Sequence, residues 1–134
     1  MKPKIIVTRD IPDEVESKLK EYFQVSFNRE DKVFSKNKLI KAMENADGIV
    51  CTVTDKITDE LLSLTNKKVK IIANIGVGVD HIDLMSAREN NVTISNTPDV
   101  LTEATVDVAT LLLLSVTRNA FLVEKMLRQG EWKG

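Results

Sequence analysis

A single cysteine, Cys51, leaves this chain without an internal disulfide, a pattern that suits a reducing compartment. Its flanks, GIVCTV, are apolar and predict a buried structural thiol, not a nucleophile. Histidine is just as scarce: His81 stands alone, and no Cys/His spacing suited to a metal occurs. An excess of one charge is also missing. With 19 Lys and Arg against 20 Asp and Glu, the net charge is −1, which offers no basic face to nucleic acid. No apolar run approaches the roughly 20 residues that a bilayer requires. The longest, VATLLLLSV from residue 108, is bracketed by Asp107 and Arg118 and reads as a buried helix. The N-terminal MKPKIIVTRD has too short an apolar stretch for a signal peptide. These absences predict a cytoplasmic protein without nucleic-acid, membrane or metal partners.

What is present is a globular composition, 43% hydrophobic and 29% charged, over 134 residues. That length buries one core, so one domain, or one domain and part of another, is expected. The pattern alternates from the start. KIIVT (4–8) suits a buried strand, Pro12 with Asp13 and Glu14 marks a helix to about Tyr22, and FQVSF (23–27) alternates as a strand. After a polar REDK turn, residues 35–43 have the spacing of an amphipathic helix. Strands at 48–53, 70–75 and 92–95 then enclose helices at 58–64 and 83–90. Connections this short permit only right-handed βαβ crossovers within one parallel sheet. The expectation is an α/β fold: a flavodoxin-like, doubly wound, parallel five-stranded sheet over residues 1–98.

The alternation stops after Asn96. Asn96, Thr97 and Pro98 read as a linker, and residues 101–129 carry one long helical pattern, with Thr102 as N-cap and Gly130 as the C′ residue. Such a helix would be about 40 Å long and would bear more apolar surface than one small sheet can cover. Residues 99–134 are therefore expected to pack on something outside residues 1–98.

The chemistry concentrates in IIANIGVGVDHID (71–83), where an apolar strand runs into Gly76 and Gly78. Ligands of such sheets lie beyond the carboxyl ends of the strands. A dinucleotide loop is one reading, but His81 occupies the third glycine position and no acidic residue follows the next strand to bind a ribose. A plain glycine turn is a second reading. The third is a carboxylate cradle, in which the amides of Val77, Gly78 and Val79 face an anion. His81, without a sequence partner, reads as structural or solvent-facing, and Asp80 and Asp83 read as helix N-terminal carboxylates.

The run ANIGVGVDHIDLMSARENNVTISNTPDVLTEATVDVATLLLLSVTRN resembles the N-terminal signature of the D-isomer-specific 2-hydroxyacid dehydrogenases. NTPDVLTEATVD and RQGEWKG are most similar to the glyoxylate and hydroxypyruvate reductase branch. The similarity spans essentially the whole chain and is specific from about Lys70 onward. It implies an oxidoreductase that reduces a small 2-oxo acid with NAD or NADP, of which this chain is the N-terminal portion. Residues 1–98 would be the substrate domain, and residues 99–134 the first long helix of a coenzyme-binding domain. By the same resemblance the amides of Val77 and Gly78 hold the substrate carboxylate, Leu101 and Thr105 approach the nicotinamide, and the protein is a homodimer with the 101–129 helix near its interface. The family's catalytic arginine, glutamate and histidine match no position here, so the chain alone is expected to be inactive. The alternative from another class is a stand-alone flavodoxin-like anion-binding or assembly module. A receiver would want paired acids after the first strand and a Lys after the fifth, where this chain has Arg9-Asp10 and Asn96.

Overall fold

The computed structural model describes residues 1–133. Its strands are β1 (Lys4–Val7), β2 (Gln24–Phe27), β3 (Gly48–Thr52), β4 (Ile71–Ile75) and β5 (Thr93–Ser95). Between them run α1 (Asp13–Tyr22), α2 (Lys36–Asn45), α3 (Asp59–Leu62) and α4 (Leu84–Glu89). All pairings are parallel, and the order β2-β1-β3-β4-β5 is the doubly wound one. The reversal of strand order lies between β1 and β3, with β4 next to it. The five strands and four helices expected from the sequence are present, with ends shifted by one or two residues.

The local causes are those of the sequence. Pro12 precedes α1 and places its missing N–H where no helical bond would use it. The Ser35 side chain accepts from the Lys38 amide to cap α2, and the Asp83 side chain accepts from the Ser86 amide to cap α4. Val7, Ile49, Cys51 and Ile72 fill the middle of the sheet, and Met43, Ile57, Leu61 and Leu62 pack on it, all at 1% exposure or less. Each large apolar side chain buried there contributes about 1.5–3 kcal/mol. The result is a rigid platform from which the strand-end loops project.

The chain divides into two compact units, Met1–Pro98 and the residues from Asp99 on. In the second unit the expected helix is present as α5 (Thr102–Thr117), and it continues as a separate α6 (Ala120–Arg128). The expectation of one unbroken helix over 101–129 is corrected here: α5 and α6 are bent by 71°. The break lies at Asn119, whose φ of 51° and ψ of 36° are left-handed, a conformation Asn tolerates better than most residues. The N-cap of α5 is Leu101 and not Thr102, because the Leu101 carbonyl already accepts the first helical bond from Thr105, and no side chain caps this end. Gly130 is the C′ residue as expected. Its φ is 69°, its amide donates to Leu127 and the Glu131 amide to Met126, the paired bonds of a Schellman motif. No residue of α5 or α6 is buried. No single helix among the described residues is long and apolar enough to cross a membrane, and only the bent α5–α6 pair has the combined length and composition.

Candidate carboxylate-binding site

β4 delivers its last side chains to the carboxyl edge of the sheet, and the chain there turns through Gly76, Val77, Gly78 and Val79 before reaching α4. Four successive carbonyls of this turn are held. Gly76 O accepts from Asn74 Nδ2 at 3.2 Å and from the Thr97 amide at 3.1 Å. Val77 O accepts from Asn96 Nδ2 at 2.8 Å, Gly78 O from Asn74 Nδ2 at 2.9 Å, and Val79 O from the Ile82 amide at 2.9 Å. The Gly76 amide donates to Thr97 Oγ1 at 3.1 Å. Among the described residues, the amides of Val77, Gly78 and Val79 have no protein acceptor.

A trans peptide points its C=O and the next residue's N–H in opposite directions. Carbonyls drawn toward the protein therefore turn the following amides away from it. Three consecutive unpaired donors at a strand end form a concavity that suits an anion, and bonds from them to a carboxylate are charge-assisted. Val77 and Gly78 are exposed, so the donors are reachable.

Neither glycine adopts a positive φ. A Cβ on Gly76 would meet Asn74 Nδ2 at 3.3 Å and Val53 Cγ1 at 3.4 Å, so this position is crowded by the side chain that anchors the turn. A Cβ on Gly78 would meet only Asp80 Oδ2, at 3.6 Å, which is ordinary contact. Neither packing nor backbone conformation thus requires glycine at 78. Close approach of a ligand would.

The remaining residues singled out in the sequence have the following surroundings. His81 is half-buried, its Nε2 lies 3.1 Å from Asn74 Oδ1, and its carbonyl accepts from the Ile57 amide, so it is a structural tie. Asp83 caps α4 as expected, but Asp80 lies outside the first turn of that helix, exposed beside Gly78. Cys51 is fully buried, and burial together with nearby Asp55 pushes its thiol up to about 12, which makes it inert. Leu101 and Thr105 are exposed and stand one turn apart at the start of α5, joined by the Thr105 amide to Leu101 carbonyl bond of 2.9 Å. The pair presents one apolar and one hydroxyl-bearing side chain. It is no hold for a dinucleotide, and no pyrophosphate-binding loop occurs among the described residues.

Two further groups shape the carboxyl edge. Arg9, just beyond β1, is gripped by Asp31 through Nε at 2.7 Å and Nη2 at 3.0 Å, and reaches Thr54 Oγ1 at 3.3 Å. Its charge is therefore already matched. Asp55 is fully buried, with Oδ2 accepting from Thr8 Oγ1 at 2.5 Å and from the Thr52 amide at 3.1 Å, while Oδ1 has no partner. It ties the end of β1 to the loop after β3. A neighbouring cleft of about 860 Å³ is lined by Asp59, Glu60, Asp80 and Asp83 against Lys56, a balance that repels anions; the amides of Val77 and Gly78 do not line it.

Sequence reasoning missed Asn74, Asn96 and Thr97, the three residues that shape the turn. The legible signal was Asn74 itself, a polar residue at the centre of the apolar strand IIANI.

Comparison with known proteins places these residues in a family context. The model of the catalytic domain of D-isomer specific 2-hydroxyacid dehydrogenases matches residues 5–128. The chain is 38% identical to a glyoxylate reductase of Thermococcus onnurineus over 133 residues, covering 99% of this chain and 40% of that protein. It thus spans about two fifths of such relatives. Among solved structures, a protein of Thermus thermophilus superposes with a TM-score of 0.81 at 38% identity, over 98% of this chain and 42% of that one. An NADPH-dependent glyoxylate/hydroxypyruvate reductase from Sinorhizobium meliloti, in complex with NADP and malonate, gives 0.73 at 31% identity, over 98% and 40% respectively.

Proposed function

The chain belongs to the D-isomer specific 2-hydroxyacid dehydrogenase family, and from that premise we propose that it carries the substrate-binding part of a reductase of glyoxylate, hydroxypyruvate or a related 2-oxo acid. The observation that carries this reading is the set of unpaired amides at Val77, Gly78 and Val79, each backed by a held carbonyl. In this reading residues 1–98 form the substrate domain, and the amides of Val77 and Gly78 grip the substrate carboxylate. The grip fixes the 2-oxo carbon for attack without a side chain in the way. A solved relative whose complex contains malonate, a dicarboxylate, supports the choice of ligand class.

Residues 99–134 are, in the same reading, the opening helical segment of a coenzyme-binding domain, with Leu101 and Thr105 on the nicotinamide side. The reduced coenzyme, NADH or NADPH, would supply the hydride when bound to the whole enzyme. The described residues of this chain include no phosphate-binding loop to hold it. A group that protonates the new alkoxide and a free cation facing the substrate are also needed. The chain alone is therefore inactive. The exposed Leu111, Leu112, Leu113, Leu114, Val116 and Phe121 support a partner for α5 and α6. We assign to them the rest of the coenzyme domain and a homodimer contact, in a cytoplasmic enzyme.

The test is turnover followed as the loss of NADH or NADPH absorbance with glyoxylate and hydroxypyruvate. The 134-residue chain is expected to give no turnover, and the same chain joined to a family coenzyme domain is expected to give it. Turnover by the chain alone, or none by the joined protein once it is shown to be folded, would overturn the proposal. Light scattering checks the second half: a monomer of the joined protein at high concentration contradicts the dimer.

A further inference from the structure

We propose that Asn74 is the positioning residue of the carboxylate cradle: its carboxamide holds the Gly76 and Gly78 carbonyls inward and thereby aims the amides of Val77 and Val79 at the ligand. The proposal rests on the carboxylate reading above and adds to it the residue that creates the donor array.

Asn74 is 2% exposed, on β4 between β3 and β5. A carboxamide in such a place is costly unless its polar atoms are paired. Here all are. The two hydrogens of Nδ2 go to Gly76 O at 3.2 Å and Gly78 O at 2.9 Å. Oδ1 faces Cys51 Sγ at 3.9 Å and His81 Nε2 at 3.1 Å. A carboxamide can be turned end for end, and these partners decide which way it points. The opposite orientation would set Oδ1 against two carbonyl oxygens and Nδ2 against the buried thiol, so Oδ1 is the atom facing His81 Nε2, and the tautomer that carries its proton on Nε2 completes the set. The thiol stays protonated and remains a donor at any physiological pH.

Peptide planarity then divides the labour. Gly76 C=O and Val77 N–H belong to one peptide unit, and Gly78 C=O and Val79 N–H to another, so Asn74 governs the Val79 amide by itself and the Val77 amide together with Thr97, whose amide also donates to Gly76 O at 3.1 Å. Val77 C=O and Gly78 N–H share the unit between them, and that carbonyl is held by Asn96. Removing the Asn74 carboxamide should therefore free the Val79 donor, loosen that of Val77, whose carbonyl partner keeps the Thr97 bond, and leave the middle one aimed.

The experiment is a titration of the ¹⁵N-labelled chain with oxamate, an unreactive 2-oxo acid analogue, read amide by amide. In the wild type, saturating shifts are expected at Val77, Gly78 and Val79. In Asn74→Leu, which keeps the branched shape and removes both donors, oxamate affinity is expected to fall about tenfold, with the response of Val79 lost first, that of Val77 weakened and that of Gly78 least changed. Asn28→Leu is the control. Asn28 is also buried and ties two carbonyls, those of Thr8 and Lys32, each at 2.7 Å, but it touches no cradle residue. It is expected to lower thermal stability and leave oxamate affinity unchanged.

Equal weakening by Asn28→Leu and Asn74→Leu, or unchanged binding by a folded Asn74→Leu, overturns the proposal and leaves the carboxylate reading standing. No shift in the wild type overturns both. Asn74→Ser is the second variant should the Leu variant give no dispersed spectrum. If neither folds, hydrogen exchange of the wild-type Asn74 side-chain amide decides: slow exchange supports the proposal and fast exchange overturns it.

Discussion

Asn96 Nδ2 donates to the Val77 carbonyl at 2.8 Å, joining the end of β5 to the turn after β4 across 19 residues. The bond fixes the peptide unit that contains the Gly78 amide. Asn96 is exposed, so replacing it by Ala lets water take over the lost bond, and global stability should change by no more than about 0.5 kcal/mol. Oxamate affinity should fall a few-fold, with the Gly78 amide response reduced most. Chemical denaturation and the amide-resolved titration measure the two effects separately, and unchanged binding would detach Asn96 from the site.

The two glycines should answer differently to the same substitution. Gly78→Ala adds a methyl group in ordinary contact with Asp80 alone, at a φ that alanine adopts. It should leave stability unchanged or raise it by about 0.4–1 kcal/mol through the unfolded state, and still weaken oxamate binding. Gly76→Ala presses on Asn74 Nδ2 at 3.3 Å and Val53 at 3.4 Å. It should lower both stability and binding. Melting temperatures beside titrations check the contrast, and oxamate affinity unaffected by Gly78→Ala would argue against close ligand approach.

Acid should weaken the first unit through two carboxylates outside the cradle. The Arg9 guanidinium, by hydrogen bonding, holds the Asp31 carboxyl down to about 2. The Arg29 guanidinium, at 2.6 and 2.7 Å, holds the Glu16 carboxyl below its usual range, with further help from Lys20. Both folded pKa values lie below the unfolded ones. The stabilisation is therefore complete above about pH 5, beyond both unfolded values, and is lost as pH falls through the folded values. Asp31→Asn removes one contributor and should flatten the fall in urea midpoint between about pH 4 and 2. Parallel curves for variant and wild type would show that the Arg9 pair carries no such linkage.

The break between α5 and α6 depends on one residue in a left-handed conformation. Asn119→Gly should keep the break at no cost in strain, whereas Asn119→Ala either loses roughly 1 kcal/mol in holding it or extends α5 through the position. Cα chemical shifts at residues 117–121 distinguish these outcomes. Identical shifts in all three proteins would mean that the bend has another cause.

The sheet was legible because its signals are local. Pro12, Ser35 and Asp83 open helices, β-branched runs mark buried strands, and the short connections force parallel crossovers. The glycines marked the turn after β4 for the same reason. What gives it shape was not legible, since Asn74, Asn96 and Thr97 act on the turn only after the β4 and β5 ends are brought together by folding. Asn96 and Thr97 read as a linker. The break at Asn119 was hidden by the apolar pattern, which runs through it without a proline or glycine. Thr102 has the residue type of an N-cap, but the first helical bond forms one residue earlier, at Leu101.

The central claim is that backbone donors of this turn hold a carboxylate, and a crystal of the chain grown or soaked with oxamate tests it most directly. The account requires the oxamate carboxylate at the turn, with oxygens within about 3.2 Å of the Val77 and Gly78 nitrogens and the Asn74 carboxamide still bonded to the Gly76 and Gly78 carbonyls. Oxamate bound elsewhere while these amides face only water would contradict it.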